Sequence, residues 1–259
     1  MRAPDPFLTS ILKDRDQPQQ QLSKKMGRRL LLTFDRQTQQ PVVLKILIFS
    51  QDLTWEEIRL FQREAELLKT ISHPSIPKYI DAFEFETAAS KGYASVQSYI
   101  DALSLEDHLQ TGRCFNQDDV RHILESVLEI LIYLHNRQPP VIHRDIKPSN
   151  ILLTDRTGNS PGRVYLVDFG SVQTLASRGG KTMTVVGTYG YMPPEQFGGL
   201  VPASDFYSLG ATLIFLATAS TRVNCRSKIF GFSFATGRAS APVLPIARVD
   251  DRAWLEQAI

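Results

Sequence analysis

Ionisable and amide side chains are concentrated in one short stretch of the sequence, VIHRDIKPSNILL at 141–153. The cluster consists of His143, Arg144, Asp145, Lys147 and Asn150. An apolar approach, a polar cluster and an apolar exit are typical of a catalytic loop held between two buried strands. A carboxylate such as that of Asp145 can accept a proton, and the amide oxygen of Asn150 is a hard ligand of the kind that Mg²⁺ prefers.

A second acidic residue, Asp168, follows the next pair of predicted strands. The segments NILLT and RVYLVDFG predict a hairpin that turns through RTGNSPG. Asp168 would add another hard oxygen ligand for Mg²⁺, and Gly170 would permit the chain to turn sharply behind it. By itself DFG is more often an ordinary turn at a strand end, whereas the eight-residue run HRDIKPSN is far more specific.

The residues before 100 predict a small sheet with one helix. RRLLLTF at 28–34 and PVVLKILIF at 41–49 have the composition of paired strands, and KYIDAFEF and YASVQSYI add two more. The segment 54–71 predicts a helix, because Thr54 and Glu57 form a capping box and apolar residues recur at helical spacing.

Lys45 and Glu64 are candidates for an ion pair between that sheet and that helix. Glu64 lies on the helical face that carries Phe61 and Leu68, so its carboxylate is predicted to point inward and to need a partner. Lys45, at the end of VVLK, is the predicted partner. Glu66 is the rival acid, but it falls on another face and is expected to be solvated.

The chain after residue 100 has a helical character. The segment 116–137 predicts a long helix capped by Asn116, and DFYSLGATLIFLATA at 205–219 predicts a buried one. We therefore predict an α+β fold with two lobes, a β-rich N-lobe at 22–100 and an α-rich C-lobe core at 101–219. A cleft between two lobes is a favoured place for a ligand.

Both ends of the chain lack such patterns. Residues 1–21 include the Gln- and Pro-rich run DRDQPQQQ and are predicted to form a flexible lead-in. Residues 220–259 scatter Arg, Ser and Gly among apolar residues without a period. We therefore expect an incomplete C-lobe and a truncated product, with part of the tail read in a shifted frame.

The composition limits which classes of partner this chain is expected to bind and in which compartment it is expected to function. The 29 basic and 27 acidic residues leave a formal net charge of +2, which gives no general case for nucleic-acid or membrane binding. No signal-peptide pattern opens the chain, and the longest apolar run, at 209–219, is too short to span a bilayer. With two cysteines that lack metal-ligand spacing, the sequence predicts a cytoplasmic protein without a membrane segment.

Four motifs occur together in an order that resembles the Ser/Thr protein kinases. They are VVLK ending at Lys45, HRDIKPSN, DFG at 168–170 and MPPE at 192–195. The sequence around MPPE is similar to bacterial, especially cyanobacterial, members of this eukaryotic-like family, and the resemblance covers roughly residues 22–219. It implies a two-lobed kinase fold that binds ATP and Mg²⁺ and phosphorylates Ser or Thr in a protein substrate.

The resemblance also implies a role for each motif residue. Asp145 would orient the substrate hydroxyl and accept its proton, and Lys147 would contact the transferring phosphate. Asn150 and Asp168 would hold Mg²⁺. Lys45, held by Glu64, would contact the α and β phosphates. The remaining ATP contacts would come from Gly27, the gatekeeper Gln97, and the backbone at Ser98, Tyr99 and Ile100.

Further residues of the family pattern would position or regulate the site. They are His143, Arg144, Gly170, Thr182, Thr184, Thr188, Glu195 and Asp205. Arg144 would pair with a phosphate added at Thr182 or Thr184, although ordinary loop polarity explains these threonines equally well. Thr188 would hydrogen-bond the catalytic Asp and Lys. Asp205 would brace the catalytic-loop backbone, a role compatible with that of a plain helix N-cap.

The stretch LSKKMGRRL departs from the family's G-x-G-x-x-G loop. Ser23 and Lys25 replace the first two glycines, and Gly27 survives with a one-residue ambiguity in register. Side chains hinder the close approach of backbone N–H groups to phosphates. The basic residues here could contact phosphate oxygens instead, but four basic residues in a turn more often form a solvated face.

Three classes of function follow from these observations. A protein kinase is favoured because Lys45, Glu64, Asp145, Asn150 and Asp168 are all present. The alternative is a non-catalytic kinase-like binding module or an inactive truncated fragment, which the glycine-poor loop and the short C-lobe favour. A missing final helix would also leave Glu195 without its usual arginine. A small-molecule phosphotransferase is disfavoured, because GTYGYMPPE resembles a peptide-docking segment.

Overall fold

The computed structural model describes residues 15–25, 27–50, 53–87, 90–156, 161–174, 187–197 and 201–222. All of them belong to the first of two units into which the chain divides, Met1–Ile229 and Phe230–Ile259. The predicted phosphosites Thr182 and Thr184 and the tail from 223 onward lie outside the described residues. Among the described helices, none combines the length and the apolar character needed to cross a bilayer.

Five antiparallel strands form the sheet of the N-lobe. They are β1 (Asp16–Lys25), β2 (Arg28–Asp35), β3 (Gln40–Ile48), β4 (Tyr79–Glu86) and β5 (Lys91–Ser98), in the spatial order β1-β2-β3-β5-β4. One face carries a core that includes Leu31, Leu44 and Val96. Because side chains alternate along a strand, Lys45 lies on the opposite face of β3 from Leu44.

Strand β1 shows that the predicted flexible lead-in at 1–21 was wrong for residues 16–21, which pair with β2. The edge position of β1 tolerates Pro18, whose ring nitrogen cannot donate to a ladder. An ion pair anchors the start of the strand, since the Arg15 guanidinium donates to both Asp35 carboxylate oxygens at 2.8 and 2.5 Å. Pairing with β2 thus orders a segment whose composition indicated disorder.

Helix α1 (Trp55–Thr70) forms where the capping box predicted it. The Glu57 N–H donates to the Thr54 hydroxyl at 3.3 Å, and the Thr54 N–H donates to the Glu57 carboxylate at 3.0 Å. Its buried residues are Phe61, Glu64, Ala65 and Leu68. The helical period therefore places one acid, Glu64, on the inner face.

The C-lobe is built mainly from helices. It contains β6 (Leu103–Ser104), α2 (Leu105–Gln110), α3 (Gln117–His135), β7 (Val141–Ile142), β8 (Ile151–Leu153), β9 (Val164–Leu166), β10 (Gln173–Thr174) and α4 (Ala203–Arg222). Strands β6, β8 and β9 form one small sheet, and β7 pairs with β10. The predicted Asn116 cap of α3 and the predicted hairpin of β8 and β9 are confirmed.

One apolar core extends through the C-lobe and reaches α1. Fully buried residues of α3, including Ile130, Leu131 and Leu134, form its centre. Leu68 of α1 and Phe169 belong to the same cluster. This contact fixes α1 against the segment that follows β9, and it confirms the predicted α+β fold with a β-rich and a helical lobe.

Leu131 and Ile132 are adjacent on α3 and differ in exposure, 0% against 57%, which makes them a matched pair. Leu131→Ala should lower the free energy of unfolding by about 3 kcal/mol, because it leaves a cavity in the core. Ile132→Ala should change it by about 0.5 kcal/mol or less. Urea denaturation of both variants checks this, and equal losses would contradict the packing described.

Candidate active site

The Asp205 carboxylate anchors the loop that follows β7. It is fully buried and accepts hydrogen bonds from the backbone N–H groups of His143 and Arg144, both at 2.9 Å. His135, at the end of α3, contacts the same carboxylate through Nε2 at 2.9 Å. Arg144 adopts a positive φ of 72° between these contacts. A buried carboxylate with this many donors holds the polar loop in one conformation.

Asp145, Lys147 and Thr188 form a closed set of hydrogen bonds at the apex of this loop. The Lys147 ammonium donates to Asp145 Oδ2 at 2.7 Å and to the Thr188 hydroxyl at 2.6 Å. The Thr188 hydroxyl donates to Asp145 Oδ1 at 2.7 Å. The contacts expected of Thr188 are therefore present. They orient a carboxylate that is 8% exposed and can accept a proton from a bound hydroxyl.

Asn150 and Asp168 supply oxygen atoms beside Asp145. The Asn150 amide nitrogen donates to the Asp145 backbone oxygen at 2.8 Å and to Oδ2 at 3.0 Å, so its own oxygen is free of that contact. The Asp168 side chain is 48% exposed. Groups of three or more His, Cys, Asp or Glu suited to a metal do not occur among the described residues. Two protein oxygens fit Mg²⁺, which keeps waters and substrate phosphates as its other ligands.

The Lys45 ammonium joins the sheet, α1 and the segment after β9. It donates to Glu64 at 2.5 Å and to Asp168 at 3.0 Å, so the predicted Lys45–Glu64 ion pair is present. Burial opposes the charge of Lys45, but the two carboxylates more than offset this and raise its pKa. The charge of Lys45 in turn lowers the pKa of Asp168. Lys45 and Asp168 are therefore both ionised at neutral pH.

Gly170 serves a different purpose from the predicted one. The positive φ of this segment, 65°, belongs to Asp168, whereas Gly170 lies outside the left-handed region. A Cβ on Gly170 would lie 3.2 Å from Glu64 Oε2 and 3.5 Å from Asp168 Oδ1. Gly170 therefore provides space beside the ion pair, and Asp168 makes the turn.

Gln97, the predicted gatekeeper, lies on the cleft face of β5. It is directly opposite Val43, and Ser95 is directly opposite Lys45, so these four side chains share one face of the sheet. Gln97 is 4% exposed. Its Nε2 and the Ser95 hydroxyl have no hydrogen-bond partner among the described residues. The inner wall of the cleft is therefore polar.

The segment after β5 presents free backbone donors. The Ser98 N–H donates to the Lys78 carbonyl at 2.9 Å, and the Ile100 carbonyl accepts from the Ala102 N–H at 2.9 Å. Tyr99 is half-buried between them. The Ile100 N–H finds no acceptor among the described residues. Of the three predicted backbone contacts, the Ser98 N–H is thus already bonded, whereas those of Tyr99 and Ile100 have no acceptor among the described residues.

The turn between β1 and β2 is short. Lys25 is directly opposite Arg28, so two residues join the strands. Gly27 has a φ of 69°, which a side chain would strain, and its carbonyl accepts the Ile48 N–H at 2.8 Å. Gly27 therefore makes a hairpin turn that is tied to the end of β3.

Three interactions at the site were missed by the sequence analysis. His135 is the third partner of Asp205, and Arg63 on α1 lies close enough to Arg144 for its charge to affect that guanidinium, whose pKa burial lowers. Glu195 accepts a hydrogen bond from the Ser204 hydroxyl at 3.1 Å. Half-buried Glu195 has no arginine partner among the described residues.

His143 should make stability depend on pH. Burial lowers its pKa below the ordinary 6.5, although Asp205, Asp145 and Asp168 act in the opposite direction. As the pH falls below 6.5, the unfolded chain takes up a proton that the folded chain excludes, so stability is lost by up to about 1.4 kcal/mol per pH unit.

In His143→Phe, the decrease in melting temperature between pH 7.5 and 5.5 should be smaller than in the wild type. Burial also lowers the pKa of His73, which keeps part of the slope in the variant. An unchanged slope would show that His143 is protonated in the folded protein.

Comparison with known proteins identifies the family. The protein kinase domain family matches residues 28–229. The chain is 35% identical over 203 residues to serine/threonine-protein kinase PknA of Nostoc sp., covering 74% of this chain and 34% of that protein. It is 37% identical over 171 residues to serine/threonine-protein kinase C of Synechocystis sp., covering 62% and 30%.

A further relative is serine/threonine-protein kinase PrkC of Bacillus subtilis, 33% identical over 180 residues that cover 68% of this chain and 26% of that protein. The chain spans about a third of the length of these curated relatives. The matched region contains the Lys45 ion pairs, the Asp205 anchor and the Asp145 loop. The chain therefore belongs to the protein kinase family, and its named relatives are serine/threonine kinases.

Proposed function

We propose that this chain is a protein serine/threonine kinase that transfers the γ-phosphoryl group of ATP to a Ser or Thr hydroxyl of a protein substrate. The observation that carries the proposal is the Lys45 ammonium in contact with Glu64 at 2.5 Å and with Asp168 at 3.0 Å. This arrangement requires α1 and the segment after β9 to be in position together. It is the arrangement in which a lysine can be presented to the ATP phosphates.

The Asp145 carboxylate would orient the substrate hydroxyl and accept its proton. Its two oxygens are already held by the Lys147 ammonium and by Thr188 and Asn150, so little reorganisation is needed during transfer. Lys147 would contact the transferring phosphoryl group. Asn150 and Asp168 would hold Mg²⁺, which supplies neutralisation of the phosphate charge when it is bound.

The adenine base would bind beside β5. The Ile100 N–H is an uncommitted donor for a ring nitrogen. The polar Gln97 side chain, buried on the cleft face of β5, has an amide nitrogen without a partner among the described residues. A buried polar group without a partner is rare in a folded protein and indicates a position that a ligand fills. ATP, as a cytoplasmic metabolite, makes the cytoplasm the proposed location.

Phosphorylation would regulate the kinase through Arg144. The Arg144 backbone is fixed by Asp205, and the charge of Arg63 on α1 acts on the Arg144 guanidinium. Two guanidinium groups brought close together repel each other, and a phosphate between them would remove that repulsion. We propose Thr182 or Thr184 as the phosphorylated residue.

A non-catalytic nucleotide-binding module is the second candidate. The observation in its favour is the two-residue turn between β1 and β2, which keeps Gly27 but lacks the first two glycines of the family pattern. The two candidates differ in whether the Asp145 loop transfers a phosphoryl group, and a direct assay separates them.

The test is phosphorylation of casein and of the chain itself with labelled ATP and Mg²⁺. Asp145→Ala should reduce incorporation by about a thousandfold or more, because the proton acceptor and substrate orientation are lost together. Asp118→Ala, an exposed acid on α3, is the control and should keep full activity. A folded wild type that binds ATP without incorporation would support the binding module instead.

A further inference from the structure

Arg28 lies on the cleft face of β2. Leu30 is directly opposite Lys45, and side chains two residues apart point to the same side of a strand, so Arg28, Leu30 and Lys45 share one face. The Arg28 Cα is about 7 Å beyond that of Leu30, towards the hairpin turn. Arg29, opposite Ile46, belongs to the other face. Only one of these two adjacent arginines is directed to the cleft.

The hairpin next to Arg28 is too short to contribute many backbone N–H groups to a phosphate. Two residues join Lys25 to Arg28, and the Gly27 carbonyl is bound to the Ile48 N–H. A six-residue G-x-G-x-x-G loop, by contrast, presents several bare N–H groups and can close over the phosphates. In this chain a side chain near the turn has to provide the contact that the backbone does not.

Among the charged side chains that contact one another in the cleft, the carboxylates exceed the ammonium groups in number. The carboxylates are those of Glu64, Asp145 and Asp168, and the ammonium groups are those of Lys45 and Lys147. ATP would add further negative charge to this set. A guanidinium group matches phosphate oxygens in geometry and stays charged at any physiological pH.

The Arg28 guanidinium is available for this role. Its side chain is exposed and forms no ion pair with the described residues. The pKa of the Glu57 carboxyl is lowered by the Thr54 N–H and, to a smaller extent, by the charge of Arg28. The charge of Arg28 therefore acts on the first turn of α1, the helix that also holds Glu64, the partner of Lys45.

We infer that Arg28 binds the ATP phosphates and replaces the backbone contacts of a glycine loop. The inference rests on the proposed kinase function. It assigns Arg28 a contact with the nucleotide phosphates, whereas Arg29, of equal charge and one residue away, makes none. The group that Arg28 binds is the polyphosphate of the nucleotide. The affinity for adenosine, which has no phosphate, should therefore not depend on Arg28.

The test is calorimetric titration of the full chain with Mg²⁺-ATP and with adenosine. In Arg28→Ala the dissociation constant for ATP should rise about tenfold, while that for adenosine stays unchanged. Arg28→Lys should recover part of the loss. Arg29→Ala is the matched control and should bind both ligands as the wild type does. The deficit of Arg28→Ala should shrink as salt is raised from about 50 to 500 mM.

Two results would overturn the inference while leaving the kinase proposal intact. One is wild-type ATP affinity in Arg28→Ala. The other is an equal loss for ATP and adenosine accompanied by a lower melting temperature, which would show that Arg28 stabilises α1 through Glu57. A wild-type chain that bound neither ligand would overturn the proposed function, and this inference with it.

Discussion

The arrangement of the candidate active site depends on one partly buried ammonium group held by two carboxylates. Lys45 reaches Glu64 on α1 and Asp168 behind β9, and neither carboxylate comes from its own strand. Removing Lys45 would leave two carboxylates close together without their counter-charge, which is unfavourable for the buried Glu64 in particular. The position of α1 is therefore coupled to that of Asp168, and Leu68 and Phe169 reinforce the coupling by packing in one core.

The other half of the site is held by a second buried carboxylate, that of Asp205. It receives two backbone N–H groups and His135, and so fixes the loop from which Asp145, Lys147 and Asn150 project. Because its anchor is in α4, the Asp145 loop is held by a helix of the C-lobe core. The charged residues of the two halves are therefore held in position on both sides of the cleft by these contacts.

Features with a short sequence period were predictable from the residues themselves, distant contacts such as that of Thr188 with Asp145 were expected only from the family resemblance, and the pairing of β1 with β2 was not expected. The helical period of 54–71 identified Glu64 and excluded Glu66, and the capping box located the start of α1. Strand β1 was missed because its Gln-rich side chains carry no apolar alternation, and β2 supplies its order. The spatial reason for Gly170 and the contact of His135 with Asp205 depend on residues more than 60 positions away.

The most direct test of the central claim compares two acids of α1 in steady-state kinetics. Glu64→Gln should reduce kcat/KM for ATP in casein phosphorylation by about a hundredfold, because Lys45 loses the partner that positions it. Glu66→Gln removes only a surface pair with Lys69 and should leave kcat/KM within about twofold of the wild type. Equal effects of the two substitutions, or none from either, would contradict the account.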